Sequence, residues 1–183
     1  HPVAHSFPTR RSSDLEGTLE LILSEFSEKI EGPVEWIRQR IIEAEIAHFD
    51  ESGLYSEGKR KWLHVASTDL HTFYFFHHAR GQDATDAANI LMHFQGTALH
   101  DFWPTYFKYE NCTHALCNAH HLRDLQGVID KHNYSWSIEM RELLGKTKKL
   151  VDAAIENNQT MLPKDALKSM EKRYKEILLK GYE

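Results

Sequence analysis

The apolar residues change period several times along the chain, and each change marks a new element. Over residues 20–30, Leu23, Phe26 and Ile30 recur at helical spacing, and the Gly32-Pro33 pair then breaks the pattern. A second helix is predicted over residues 34–44, with Trp36, Ile37, Ile41 and Ile42 turned inward. IAHFDES, residues 46–52, is instead a short apolar run ending in acids. After a turn near Glu57-Gly58, residues 61–67 and 72–77 are rich in aromatic and β-branched residues, and both read as strands joined by a turn at 68–71. Residues 80–94 carry Ala84, Ala87, Ala88 and Leu91 and read as a helix, with Gly96 as its C-cap.

GTALHDFWPTY, residues 96–106, supplies a fourth strand, after which Pro104 can begin a short helix. HALC (114–117) reads as a fifth strand and NAHHLRDLQGVIDKH (118–132) as a long helix. From about Ser137, Ile138, Leu144, Val151 and Ile155 form one helical stripe. Residues 157–162 are a loop, and Pro163 opens a last helix that Gly181 ends. The order βββαβαβ predicts an α/β fold with a mixed sheet, flanking helices and a C-terminal helical hairpin.

Composition adds limits. With 183 residues, 41% of them hydrophobic, the chain can build one core. No apolar run approaches the roughly 20 residues that span a bilayer. Two cysteines, Cys112 and Cys117, do not make a disulfide scaffold and fit a reducing cytoplasm. A net charge of -5 is a poor match to a stand-alone nucleic-acid-binding domain, although a catalytic domain that holds cations can be acidic. The region from Ser137 onward is less acidic, with ten Lys and Arg against eight Asp and Glu. Contact with nucleic acid is therefore expected there before the sheet, although a solvated helix face is the default reading.

The first fifteen residues stand apart. HSFPTRRSSDL, residues 5–15, back-translates into a stretch that resembles a common sequencing-library adapter read in one frame. We exclude residues 1–15 from fold reasoning, as one would an expression scar, and expect them to be disordered. The other reading is a natural arm that binds phosphates through Arg10 and Arg11.

Few residues carry chemistry by pattern alone. Asp50 ends the first strand and Asp101 the fourth. Two-metal phosphoryl transfer needs clustered carboxylates, and hard oxygen ligands suit Mg²⁺ or Mn²⁺. If strands one and four are neighbours, both acids face one cleft; otherwise they are turn aspartates. Glu51 points to the opposite face from Asp50 and is read as a hydrogen-bond or salt-bridge residue. Cys112, Cys117 and His120 offer three zinc ligands, but structural zinc wants four at closed spacing. A buried thiol and a helix-start histidine are the better reading. No phosphate-binding glycine loop, metalloprotease H-E-x-x-H pair or G-x-S-x-G elbow is present.

In their order, HFDESGLYSEGKRKWLHVAST, RGQDATDAANIL, FQGTALHDFWPTYFKY and HALCNAHHLRDL, with MRELL and EKRYKEILLKG after them, resemble the catalytic domain of bacterial transposases of the insertion-sequence sixty-six family. The resemblance implies a ribonuclease-H-like fold with a DDE triad. Asp50 matches the first aspartate and Asp101 the second, with Asp-Glu-Ser here where the family usually has Asp-Glu-Thr. It implies two Mg²⁺ (or Mn²⁺) ions held by these carboxylates, in-line attack on a DNA phosphodiester, DNA as partner, and a homo-oligomer in the synaptic complex. CNAH, residues 117–120, matches a family motif after the second aspartate and is taken as structural support. The family's third acid lies in an Asn-Asn-x-x-Glu segment beyond the helical insertion. ENNQT (156–160) mimics that segment, but Met161 stands where the acid should be.

The expected organisation is thus a lead-in helix region (16–45), an incomplete catalytic core (46–136) and a helical insertion (137–183) cut before the third acid. The chain is expected to be a bacterial cytoplasmic fragment, inactive by itself. Two alternatives stay open: a non-catalytic ribonuclease-H-like interaction module, and a small zinc-dependent hydrolase using Cys117 and His120.

Overall fold

The computed structural model describes residues 12–182. The disorder expected of residues 1–15 therefore falls outside the described residues as far as residue 11, and helix α1 (Ser12–Ile42) begins at Ser12. The chain forms two compact units. One runs to Leu99 and includes Trp103–His114; the other holds His100–Phe102 and everything from Ala115 onward. Among the described residues no helix is long and apolar enough to cross a membrane.

α1 corrects the first expectation. It is one helix of 31 residues with Pro33 inside it, not two helices broken at Gly32-Pro33. A proline normally pushes the residue before it out of helical geometry because its ring meets that residue's Cβ. Gly32 has no Cβ, so the helix survives at the cost of one backbone hydrogen bond. Its last turns are anchored: Ile41 is fully buried, Trp36 meets His71 edge to face at 5.0 Å, and Arg38 lies 5.0 Å from the Phe73 ring.

The strands are β1 (Ile46–Ser56), β2 (Lys59–Ser67), β3 (Thr72–His77), β4 (Thr97–His100) and β5 (Thr113–Leu116). β1 and β2 are longer than the sequence pattern predicts, because Glu57 (φ 53°) and Gly58 (φ 69°) close a two-residue turn with both central residues left-handed. That turn twist matches the strands it joins, so pairing continues to Ser56 opposite Lys59. Asp50 consequently lies inside β1, not at its end.

The sheet order is β3-β2-β1-β4-β5. β1, β2 and β3 are antiparallel, and β4 runs parallel to β1. Thr113 N donates to Gly96 O at 3.0 Å and Cys117 N to His100 O at 2.8 Å; the two bonds advance together, so β5 is parallel to β4. The mixed sheet and its strand order are those of the ribonuclease-H-like fold expected above, but a single 3₁₀ turn stands between β4 and β5 where the expected βββαβαβ order has a helix.

Strand alternation sorts the side chains of the sheet. Ala47, Phe49, Ala66 and Phe73 point into the core, where Phe49 meets Phe94 edge to face at 5.5 Å. The element crossing between β3 and β4 is shorter than predicted. Helix α2 covers only Gln82–Ala87, and Asn89 (φ 55°) ends it in the left-handed conformation that Asn tolerates. Residues 88–95 are turns held by Asn111, whose Nδ2 donates to Leu91 O (2.9 Å) and Phe94 O (2.6 Å). Gly96 caps no helix. The short helix expected after Pro104 is a single 3₁₀ turn, Tyr106–Lys108.

In the second unit, α3 (Asn118–His132) ends at left-handed Asn133, α4 (Ser135–Glu156) follows, and α5 (Lys164–Tyr182) completes the predicted hairpin. Thr147 Oγ1 contacts Met170 Sδ at 3.7 Å, and Glu139 accepts from both Arg173 (2.5 Å) and Lys180 (2.8 Å). Gly181 does not end α5. It lies inside the helix, where a Cβ would sit 3.3 Å from the Trp136 ring.

Candidate active site

Asp50 is an exposed carboxylate on β1, and its Oδ1 accepts the N–H of Glu51 at 2.9 Å. Alternation turns Glu51 to the core side, and there its side chain is only 1% exposed. A buried carboxylate without partners is costly. This one has three donor contacts: Arg80 Nε at 2.8 Å, Arg80 Nη2 at 2.5 Å and the Tyr106 hydroxyl at 2.5 Å. The guanidinium is itself packed against two rings, 5.0 Å from the Trp62 centroid and 4.4 Å from that of Trp103. A planar guanidinium can bond a carboxylate through its edge and stack on rings with its faces.

The sequence reading foresaw a bonded Glu51 but missed Arg80, Tyr106 and the two tryptophans. The available signal was charge: a strand residue turned toward the core as an acid demands a cation from elsewhere in the chain.

His64, on β2 opposite Glu51, is buried and donates from Nε2 to Ala79 O at 3.3 Å. Burial pulls its pKa below the ordinary histidine value, against smaller raising effects from the Ala79 bond and Glu51. The unfolded chain therefore binds the proton more readily, and stability rises with pH through the histidine range. Unfolding midpoints in urea should fall as pH drops from about 7 to 5. His64→Asn should flatten that part of the profile.

Asp101 follows β4 directly and is half-buried. His100, 1% exposed, donates from Nδ1 to the Asp101 carbonyl at 2.5 Å and so fixes the main chain at the aspartate. Asp101 lines a small cleft with Phe102, Cys117, His120, His121 and Asp124. Cys117 sits at the N-terminus of α3, and the His120 and His121 amides donate to its carbonyl at 3.1 and 3.2 Å. Phe102 meets His121 edge to face at 6.2 Å. CNAH thus forms the first turn of a helix beside Asp101.

The three zinc ligands weighed from sequence are not gathered. Cys112 belongs to the first unit, where its thiol faces Tyr109 O and His114, and burial pushes its pKa up. Cys117 and His120 belong to the second. Among the described residues no group of three or more His, Cys, Asp or Glu side chains is assembled to hold a metal ion.

β1 and β4 pair Ile46 with Thr97, Ala47 with Ala98 and His48 with Leu99. Paired residues in parallel strands share a face, so Asp50 lies on the same sheet face as Ile46, His48, Thr97 and Leu99.

Comparison with known proteins gives three results. Among solved structures, the catalytic core domain of HTLV-2 integrase in complex with magnesium is similar in a dimeric form (13% identity, TM-score 0.34) and a trimeric form (15% identity, TM-score 0.34). Each match covers 70% of this chain and 81% of that one. A chain of the simian T-cell lymphotropic virus intasome in complex with PP2A regulatory subunit B56 gamma matches at 11% identity and TM-score 0.33, over 51% of this chain; the match spans 46% of the intasome chain. The curated proteins gave no match. The family described as Transposase IS66 family matches residues 15–183, nearly the whole length, and it takes in both aspartates and the CNAH turn. The chain belongs to the IS66 family of transposases.

Proposed function

We propose that this chain carries two of the three acids of a DDE transposase, Asp50 and Asp101, and that the complete enzyme uses them to cleave and join DNA by two-metal phosphoryl transfer. The observation that supports this is register. Every β1–β4 pair is separated by 51 positions, and so are Asp50 and Asp101. β4 runs parallel to β1, its Thr97 and Leu99 share a sheet face with Asp50, and Asp101 follows β4 directly in the chain.

The donor set fits the cations. Both groups are hard carboxylate oxygens, as Mg²⁺ or Mn²⁺ require. Asp50 is exposed, with one oxygen taken by its neighbour's N–H. Ions held there would offset the charge of a phosphodiester and lower the pKa of an attacking hydroxyl. The chain's own residues do the positioning: the Glu51–Arg80–Tyr106 cluster holds β1 behind Asp50, and His100 holds the backbone at Asp101. DNA is the substrate, transposon ends and target alike, and the full-length protein acts as a homo-oligomer.

Two measurements test this. Titration of Mn²⁺ followed by electron paramagnetic resonance should show binding that Asp50→Asn and Asp101→Asn each weaken at least about tenfold, a loss that changes to residues merely hydrogen-bonded to metal ligands can already reach. Equal binding in both variants and the parent would overturn the assignment. Strand transfer by the 183-residue chain is expected to be absent, since two carboxylates are one short of the triad. Transfer that Asp101→Ala abolishes would show that two acids suffice.

A further inference from the structure

The sheet face that carries Asp50 is open, and it is ordered in rows across three strands. Asp50 stands opposite Val65, which stands opposite Tyr74. The next row on that face is Ser52, Leu63 and Phe76; Leu54 with Lys61 and Ser56 with Lys59 follow. Tyr74 is 63% exposed and Phe76 49%, although both lie on a strand whose other face is core. Lys61, its side chain 20% exposed, sits 5.6 Å from the centroid of the Phe76 ring and 3.7 Å from the exposed carboxylate of Glu57. Lys59 is exposed. In a chain of net charge -5, this strip holds two rings and two cations, with Asp50 and Glu57 as its acids.

We infer that this face is a binding platform for a single DNA strand, with Tyr74 and Phe76 stacking on bases and Lys61 and Lys59 contacting phosphates. The inference rests on the DDE reading above and adds where the substrate runs: from the phosphate at Asp50 toward the Glu57-Gly58 turn, about 20 Å at some 3.3 Å per residue. Exposed rings on a sheet offer π-faces to any base, and flanking cations track a backbone. A duplex hides its base faces in its own stack, so the arrangement favours an unpaired strand. Charge decides between occupants: a strand of phosphates complements the exposed Lys59, which an apolar protein partner would leave without counter-charge.

The test uses the whole chain and a fluorescein-labelled thymidine homopolymer of about fifteen nucleotides, read by anisotropy at low salt. The homopolymer should bind more tightly than a duplex of equal length. Tyr74→Ala and Phe76→Ala should each weaken it about tenfold. Lys59→Gln with Lys61→Gln should lower the salt slope by about 1.4, from roughly 0.7 per phosphate contact on a single strand. All four residues are at least partly exposed, and far-ultraviolet circular dichroism of each variant checks that it folds. Homopolymer binding is measured with chelator and no added divalent cation, so failure of the metal reading and failure of the platform are separable. Unchanged affinity in the two ring variants, or equal binding of duplex, would overturn the platform. So would a ring variant that changes oligomeric state in sedimentation velocity and leaves the oligonucleotide affinity alone.

Discussion

Arg80→Ala should destabilise the first unit by about 3–5 kcal/mol, the loss typical when one partner of a buried pair is removed. The size comes from what is left behind. Glu51 would keep only the Tyr106 hydroxyl, and its carboxylate, 1% exposed, cannot turn to water without distorting β1. Trp62 and Trp103 would also lose the guanidinium packed against them. Arg80 itself is 40% exposed, so its own desolvation is modest and offsets little of this. The comparison that isolates the charge is the double variant Arg80→Met with Glu51→Met, which should recover much of the loss, because an apolar replacement of both partners leaves no orphan ion. Urea unfolding followed by tryptophan fluorescence measures both. An Arg80→Ala variant within about 1 kcal/mol of the parent would show that the cluster contributes little.

Gly96→Ala should cost a similar amount, about 3 kcal/mol, for a different reason. A Cβ at this position would lie 2.5 Å from the carbonyl oxygens of both Ala44 and Glu45 and 2.8 Å from the Phe94 ring. Backbone oxygens cannot swing aside like side chains. The Glu45 carbonyl is also committed, accepting the Thr97 N–H at 2.7 Å, the bond that starts the β1–β4 pairing. Relief would come only by pushing β4 away from β1. The variant should therefore lose stability and also loosen amide protection at Thr97 and Leu99 in hydrogen exchange. Full protection there with unchanged stability would contradict the close approach.

Sequence pattern reached the sheet because its signals are local. Aromatic and β-branched runs marked β2 and β3, short apolar runs marked the other strands, and 118–132 gave the bounds of α3. The misses come from side chains acting at a distance or from a residue's missing atoms. Gly32-Pro33 reads as a break unless one notices that the glycine removes the clash that makes proline a breaker. Residues 80–94 have helical spacing, but Asn111 binds the carbonyls of Leu91 and Phe94 from 17 to 20 residues away and holds that stretch in turns. Gly96 resembled a C-cap because glycine serves both uses, and only the fold shows which one applies. Asp50 and Asp101, the acids of the proposed site, rest on the resemblance to the family motifs. Arg80 was not legible, since nothing in HHARGQD distinguishes a buried arginine from a solvated one.

The parallel pairing of β1 with β4 also sets which changes of length the chain can absorb. The interval of 51 positions is made of a hairpin, a turn and a short helix, none of which fixes the spacing of the two acids in space. Extra residues at the Thr68–His71 turn would lengthen the interval and leave the strand register untouched. A single deletion within Thr97–Leu99 would instead turn the rest of β4 to the opposite face of the sheet. Relatives should therefore vary freely in the number of residues between their first two acids, while the short count from Gly96 to the second one stays constant.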